Sequence, residues 1–354
     1  MNPLISANRL FNPLFWDEAT AACFSTARIA DHFLAFSCAL VTAQAQNAGS
    51  AADKHDTCGK LMRTFKPDLE QIENALLRDG VPVPEYIRQL KVHVGPPFAE
   101  NIHVGATSQD LIDTAFSMAI AEMNGVFLKQ LSGLADGLHT LAEKHGHMPL
   151  MGRTRMQAAL PIKVGDRLHS WLRPLEAAHG DLRQLRPRVE KLQLGGPVGN
   201  YKQHPDADQH ATHIAKTLGL TVTDQSWHTD RGHLAEYASW LSRVTSSLGK
   251  MGKDVTLMAQ QGIDEITLSG LGQSSAMPHK ANPVSAEILI TLSQYNAGQL
   301  STMHHALAHE QERSGTAWAL EWMTLPCMIM TTATAINHAD RLVGSIDRIG
   351  TPDL

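Results

Sequence analysis

One stretch of the chain, GLGQSSAMPHKANPVSAE from Gly270 to Glu287, mixes glycine and proline with hydroxyl, ammonium and amide side chains. A glycine-flanked loop that bears Ser274 and Ser275 can be mobile and can close over a ligand. Lys280 supplies a point positive charge, and Asn282 supplies an amide that both donates and accepts hydrogen bonds. The alternative is a plain loop between two helices. The Met-Pro pair among these polar residues favours a shaped lid instead.

A second polar break, NIHVGATSQD, places His103, Thr107 and Ser108 just before an apolar-periodic segment. A hydroxyl side chain at this position is typical of a helix N-cap, and capping alone explains about half of the pattern. The excess of polar groups at one helix start indicates an anion site, because free amides and the helix dipole favour negative charge there. We therefore expect Thr107 and Ser108 to hold a carboxylate.

A third break, MPLMGRTRMQAALP, contains Arg153, Arg155 and Gln157. Two arginines this close can clamp carboxylates through bidentate hydrogen bonds. Two solvated surface arginines are the ordinary alternative. The apolar residues on both sides of the break, which precede an apolar helical segment, make a fully exposed position less favoured.

Other familiar chemistries lack their motifs. The sequence contains no GxSxG, no P-loop and no GxGxxG. His305 and His309 have the spacing of a zinc pair, but the segment HALAH lacks the glutamate of HExxH, and an acid–base role for His145 or His147 stays open. The four cysteines are scattered without a CxxC pair. We expect no metal and no cofactor.

Composition excludes several classes of partner. The formal net charge is −5, so there is no global basic field and we expect no nucleic acid. The first twenty residues lack a basic start followed by an apolar run, and no segment reaches the ~18 uncharged apolar residues that span a bilayer. We expect a cytoplasmic protein without a membrane partner.

Helical periodicity dominates the chain and predicts an all-α fold. Apolar residues recur every three or four positions from Leu234 to Met258, and similar patterns follow Asp110 and cover about 164–192, 285–309 and 319–346. A helix this long needs partners, which favours a bundle shared between subunits. Less regular helical stretches near 17–47 and 68–92 indicate a smaller N-terminal helical domain at 1–100, followed by a central long-helix bundle at 101–354.

Together the three breaks resemble the fumarase/aspartase superfamily. Its signature loop GSSxMPxKxNP reads GQSSAMPHKANP here, with Gln273 between Gly272 and the serine pair. HVGATSQD and GRTRMQAALP are similar to its first and second regions. The loop motif is highly specific, and the resemblance covers nearly the whole chain in order. It implies a long-helix bundle and a small-molecule polycarboxylate substrate.

Within the superfamily the chain resembles the branch of lactonising cycloisomerases most. WHTDRGHLAEYASWL, LGKMGKDVTLMAQ and HEQERSGTAWALEW carry that likeness, and they contribute the pocket candidates Trp227, His228, Arg231, Arg313 and Trp318. Other branches have histidine where Arg155 stands, so the acid–base role of that histidine does not transfer. The chain ends just after the bundle, so we expect the small C-terminal helical domain of the superfamily to be missing.

The resemblance implies an intertwined homotetramer whose active sites draw on three chains. It further implies that Ser274 transfers a proton, that Lys280 and Asn282 bind the carboxylate that becomes negatively charged, and that no cofactor takes part. Two alternatives stay open. One is a lyase that releases fumarate from adenylosuccinate or argininosuccinate, and the other is a catalytically idle structural member.

Overall fold

The computed structural model of the protein describes residues 10–45, 52–270, 272–273, 277 and 281–351. Helices dominate this part of the chain, which confirms the predicted fold class. The helices are α1 (Asn12–Phe15), α2 (Glu18–Cys23), α3 (Thr26–Ala45), α4 (Ala52–Met62), α5 (Leu69–Asp79), α6 (Val83–Val94), α7 (Ser108–His145), α8 (Val164–Val189), α9 (Ala207–Leu218), α10 (Gly232–Met258), α11 (Val284–His305) and α12 (Thr316–Gly344).

Five long helices, α7, α8, α10, α11 and α12, pack along one another and enclose the main apolar core. The seam predicted on α10 lies inside this core. None of its side chains is more than 6% exposed, and the seam comprises Leu234, Tyr237, Leu241, Val244, Leu248, Met251, Val255 and Met258. The period of about 3.5 residues therefore marked the face that the bundle buries.

Helices α10 and α11 approach most closely at two glycines. A Cβ atom at Gly249 would lie 2.5 Å from the Cβ of Ser293, and one at Gly252 would lie 2.5 Å from the carbonyl oxygen of Ala286. Only residues without a side chain fit between these backbones. The contact fixes α11, which follows the polar loop, against the helix that precedes that loop.

A second apolar cluster joins α3 to α6 and also includes Leu111, Ile112 and Ala115 of α7. Helix α7 therefore contributes to both clusters, because its first turns lie in this one and its residues from Ile120 onward lie in the main core, and the boundary near residue 100 stays a prediction. The single stretch predicted near 68–92 is two helices, α5 and α6, in the structure. Gly80, which caps α5 with φ 69°, and the Pro82 that follows it separate α5 from α6. Helix α4 and the distant α9 were not predicted.

Strands are short and few in the described residues. The strands are β1 (Pro149–Thr154), β2 (Gln157–Lys163), β3 (Ile266–Leu268), β4 (Gly272–Gln273), β5 (Ala281–Asn282) and β6 (Ile346–Ile349). They form three antiparallel pairs, β1–β2, β3–β6 and β4–β5. The third polar break, MPLMGRTRMQAALP, is therefore a hairpin, whereas its sequence suggested only a lead into a helix.

Helix α7 is the one helix in the described ranges that is long and apolar enough, by length and composition, to cross a membrane. Its most apolar window has a mean hydropathy of 1.3, and 61% of that window is buried inside the protein. The core helix of a bundle meets the same criterion, and α7 occupies that position here.

Candidate active site

The start of α7 and the segment before α12 meet at what we call the Thr107 end of the bundle. One nitrogen of Arg313, Nη1, donates to Oγ1 of Thr107 at 2.6 Å, and Nη2 donates to the carbonyl oxygen of Pro197 at 2.8 Å. The side chain of Arg313 is otherwise exposed. A hydroxyl, a guanidinium and a helix start thus converge, which is a suitable arrangement for binding a carboxylate.

Asp110 holds the backbone around this helix start. Its buried carboxylate accepts hydrogen bonds from the amides of Thr107 at 2.9 Å, Gly195 at 2.8 Å and Gly196 at 2.9 Å. The Nε2 atom of His228 lies 2.9 Å from the same carboxylate. A side chain at Gly195 would meet the ring of His228 at 2.6 Å, so glycine is required there. Asp110 therefore fixes the backbone position of Thr107.

A buried cluster of charges lies one turn further along α7. Both terminal nitrogens of Arg231 bond to Asp113, at 2.7 and 3.1 Å, while Nε and Nη2 bond to Glu321 at 2.9 and 2.5 Å. Trp318 Nε1 donates to Asp113 at 2.9 Å. Burial lowers the pKa of Arg231, but the charges and hydrogen bonds of the two carboxylates outweigh it, and the net pKa is raised. The cluster ties α7, α10 and α12 together.

The remaining candidates at this end are also held inside the protein. Trp227 is 3% exposed, and its Nε1 donates to the carbonyl oxygen of Leu192 at 2.9 Å. The guanidinium of Arg231 lies 4.7 Å from the centre of the Trp227 ring. Trp227, Arg231 and Trp318 thus have their polar groups occupied by internal partners, as has Nε2 of His228. This geometry favours a role in shaping the Thr107 end over direct contact with a ligand.

His103 lies two residues before Gly105 in a left-handed conformation, with φ 65°. Burial lowers its pKa to about 4, and the charge of Lys91 acts in the same direction. The imidazole is therefore neutral at pH 7. Ser108 is half-buried at the first position of α7.

The β1–β2 hairpin lies at the opposite end of α7, which we call the Arg153 end. Arg155 and Met156 form its two-residue turn with φ 49° and 68°. Arg153 Nη2 bonds to the buried carboxylate of Glu265 at 2.9 Å, whereas Arg155 and Gln157 are exposed. The structure therefore separates the two arginines by role, since one is paired internally and the other projects from the turn.

The signature loop also leaves the bundle at the Arg153 end. Asn282 in β5 pairs with Gly272 in β4, so a short ladder closes the base of the loop. Asn282 lines an open cavity of about 390 Å³ together with Ser285 and Arg341. Ser274 and Lys280, the other two catalytic candidates, lie outside the described residues.

The two ends are far apart in one chain. Helix α7 has 38 residues, so its start and the hairpin beyond its end are separated by about 57 Å at 1.5 Å per residue. The candidates at the Thr107 end are His103, Thr107, Ser108, Trp227, His228, Arg231, Arg313 and Trp318. Those at the Arg153 end are Arg153, Arg155, Gln157 and Asn282. One chain does not bring the two groups together.

Sequence reasoning missed the acidic residues that organise both ends, namely Asp110, Asp113, Glu265 and Glu321. A signal was present on α7, because Asp110 and Asp113 are carboxylates that flank the apolar pair Leu111 and Ile112 at the start of a core helix. Because carboxylates are almost never buried without partners, their presence on a core helix indicates a buried cation nearby. Their partners are more than eighty residues away in sequence, so the pairing itself could not be read.

The bundle and its polar clusters define a class of protein. A family model described as a lyase matches residues 15–296, so the chain belongs to that lyase family, within the fumarase/aspartase superfamily. This confirms the resemblance found in the sequence.

Three individual proteins match nearly the whole chain. The chain is 35% identical to the 3-carboxy-cis,cis-muconate cycloisomerase of Pseudomonas aeruginosa over 97% of its length and 76% of that protein. The structure of the 3-carboxy-cis,cis-muconate lactonizing enzyme from Pseudomonas putida matches with a TM-score of 0.87 and 34% identity, over 96% of this chain and 78% of that one. A fumarate lyase structure from Mesorhizobium sp. BNC1 also matches with a TM-score of 0.87, at 26% identity over 95% and 76% of the two chains.

Proposed function

We propose that the protein converts 3-carboxy-cis,cis-muconate into carboxymuconolactone, the reaction of the protocatechuate branch of the β-ketoadipate pathway. The observation that carries this proposal is the 35% identity with a cycloisomerase of that substrate over 97% of the chain. The presence of Arg155 at the usual histidine position also favours the cycloisomerase branch over the fumarate-releasing lyases.

The reaction is an isomerisation, so no group leaves and no oxidant is needed. A carboxylate oxygen of the substrate attacks a carbon of the diene, and the electron pair moves onto a neighbouring carboxylate, which becomes an aci-carboxylate. A proton is then delivered to carbon, and the lactone is complete. The protein must hold nucleophile and alkene at attack distance and stabilise the developing charge.

Each part of this task has a proposed residue. Ser274 transfers the proton to carbon, Lys280 and Asn282 bind the carboxylate that becomes aci, and Thr107 with Ser108 binds a second carboxylate. Arg313 donates to Thr107 and brings a positive charge to that helix start. Arg153 and Arg155 are proposed for the third carboxylate, of which Arg155 is the one without an internal carboxylate partner among the described residues.

The active site is proposed to form between copies of the chain in a homotetramer. The candidates lie at two ends about 57 Å apart, so a site that uses both groups needs a second copy. The hairpin supports this, because Met156 is 69% exposed and Leu160 is 73% exposed in one chain. Apolar side chains on a projecting hairpin indicate a surface that another chain covers.

Incubation with 3-carboxymuconate tests the reaction. We expect loss of the diene absorbance and a product of unchanged mass whose NMR spectrum is that of the lactone. Ser274→Ala should lose most turnover while it retains the oligomeric state and fold of the parent. A wild-type rate in Ser274→Ala would remove the serine from the mechanism, and an inert parent protein would end the proposal.

Mixing two inactive variants tests the shared site. Asn282→Ala damages the Arg153 end and Arg313→Met damages the Thr107 end, so each homotetramer should be slow. Hybrids refolded at equal amounts should recover up to about a quarter of parental activity, because some sites draw both intact ends from different chains. If the hybrid tetramers recover no activity, the whole site lies in one chain.

A fumarate-releasing lyase is the second candidate, and the match to a fumarate lyase structure favours it. A coupled assay for fumarate with adenylosuccinate or argininosuccinate separates the two functions. Fumarate release without any lactone formation would select the lyase.

A further inference from the structure

A cavity of about 200 Å³ opens between the hairpin turn and the C-terminal end of α10. Three arginines line it, Arg153 and Arg155 from the hairpin and Arg167 from α8, together with two acidic residues, Asp254 and Glu265. Its volume is below the roughly 300 Å³ at which ligand pockets usually begin. It is therefore suited to one charged arm of a ligand.

Both acidic residues already have cationic partners. Glu265 bonds to Arg153 at 2.9 Å and accepts from the Thr351 hydroxyl at 3.1 Å. Asp254 accepts from the indole nitrogen of Trp171 at 2.7 Å and is bonded to Lys250. These pairs neutralise the carboxylates of the lining and leave none of them to balance the remaining guanidinium groups.

Arg155 and Arg167 are those remaining groups. Within the part of the chain that the structure describes, neither forms an ion pair with a carboxylate. Among the residues that the structure describes, Arg167 Nη1 has only the thioether sulfur of Met258 at 3.5 Å, which is a weak acceptor. Two cations with unused donors that open on one cavity form a site for an anion.

The position of Arg167 strengthens this inference. It lies in the first turn of α8, where the helix dipole disfavours positive charge. The amides of Val164 and Gly165 in the same turn already donate to the carbonyl oxygens of Met148 and Gly146, both at 3.0 Å. The backbone therefore does not supply the donors for an anion here, and the guanidinium does.

We propose that Arg167, together with Arg155, binds one carboxylate group of a polycarboxylate ligand in this cavity. The proposal rests on the proposed function, because it identifies Arg167 as a further substrate-binding residue at the Arg153 end. Arg153 is the internal partner of Glu265 and supports the hairpin from which Arg155 projects.

Calorimetric titration of the full-length protein with tricarballylate, a saturated tricarboxylate that cannot cyclise, tests the proposal. Arg167→Gln should raise the Kd about tenfold or more, because a charge-assisted hydrogen-bonded pair is lost. Arg173→Gln, an exposed arginine on the same helix, serves as the matched control and should bind like the parent. Parental affinity in Arg167→Gln overturns the proposal.

A second variant protects the test from a folding defect. Arg167→Lys keeps the charge but loses the planar fork, so we expect a Kd between those of the parent and Arg167→Gln. If Arg167→Lys binds tricarballylate with the parental Kd and has the parental melting temperature, a bidentate contact through Arg167 is also contradicted. Tricarballylate binding through Arg167 without lactone formation would refute only the proposed reaction, whereas lactone formation with a parental KM in Arg167→Gln would refute only this inference.

Discussion

The buried guanidinium of Arg231 supports the sharpest stability prediction. Its side chain is 2% exposed and bonds to Asp113 and Glu321 at distances between 2.5 and 3.1 Å. Arg231→Met keeps an apolar stem of similar length and removes the charge. Two buried carboxylates then remain, and Nε2 of His309 lies 3.4 Å from Glu321.

The expected loss is large because an uncompensated buried charge is costly. Breaking a buried pair by removing one partner lowers the free energy of unfolding by about 3–5 kcal/mol. An unfolding entropy of ~2.1 cal/mol/K per residue, applied to 354 residues, gives about 0.74 kcal/mol/K. The melting temperature should therefore fall by about 4–7 °C.

Thermal unfolding by circular dichroism, with Arg188→Met as the control, measures this loss. Arg188 pairs with Glu236 at the surface, where both side chains are about half exposed, so we expect a change of less than about 1 kcal/mol. Adding Glu321→Gln to Arg231→Met should recover part of the stability, since it neutralises one of the unpaired carboxylates. If the double variant is no more stable than Arg231→Met, the loss arises from packing and the electrostatic reasoning fails.

Three further predictions follow from single contacts. Gly252→Ala should lower the free energy of unfolding by about 1–3 kcal/mol in urea titrations, because the added Cβ meets α11, whereas Gly133→Ala, with open space around it, should raise it by about 0.5–1 kcal/mol. Burial, aided by two neighbouring cations, lowers the pKa of His233 to about 2. Below about pH 6.5 the unfolded chain therefore binds a proton at this histidine that the folded protein does not bind. Stability should fall by about 2 kcal/mol from pH 7 to pH 5 for this residue, and His233→Gln should flatten that slope. Asp110→Asn should lower the free energy of unfolding by about 1–3 kcal/mol and raise the KM, because an amide NH₂ would face the backbone amides that now donate hydrogen bonds to the carboxylate.

The long helices were predictable because their sequence pattern is local. Each apolar position on α10 recurs within four residues, so the buried seam can be read without knowledge of what covers it. Short helices were harder to identify. Gly59 lies inside α4, where an added Cβ atom would lie 4.0 Å from Thr42 Oγ1, and glycine is a poor helix former that weakens the local pattern.

The hairpin was missed because most of its second strand stays exposed within one chain. Almost every residue of β2 is exposed, so the strand lacks the alternation of apolar and polar residues that betrays a half-buried strand. Its apolar residues follow no helical period either. If another chain covers the hairpin, as proposed, its pattern was selected by a surface that the single sequence does not contain.

Long, stiff helices also explain how the chemistry depends on the fold. Helix α10 begins beside Arg231 and ends at Met258, which lines the cavity with Arg167. Its 27 residues hold the charged cluster and the cavity at a separation of about 40 Å. Inserting one turn into α10 would move one end by about 5.4 Å relative to the other while the seam loses its register with α11. In a site assembled from opposite ends of different chains, an error of that size exceeds the reach of a hydrogen bond. The length of the helices is therefore as much a part of the proposed site as its side chains.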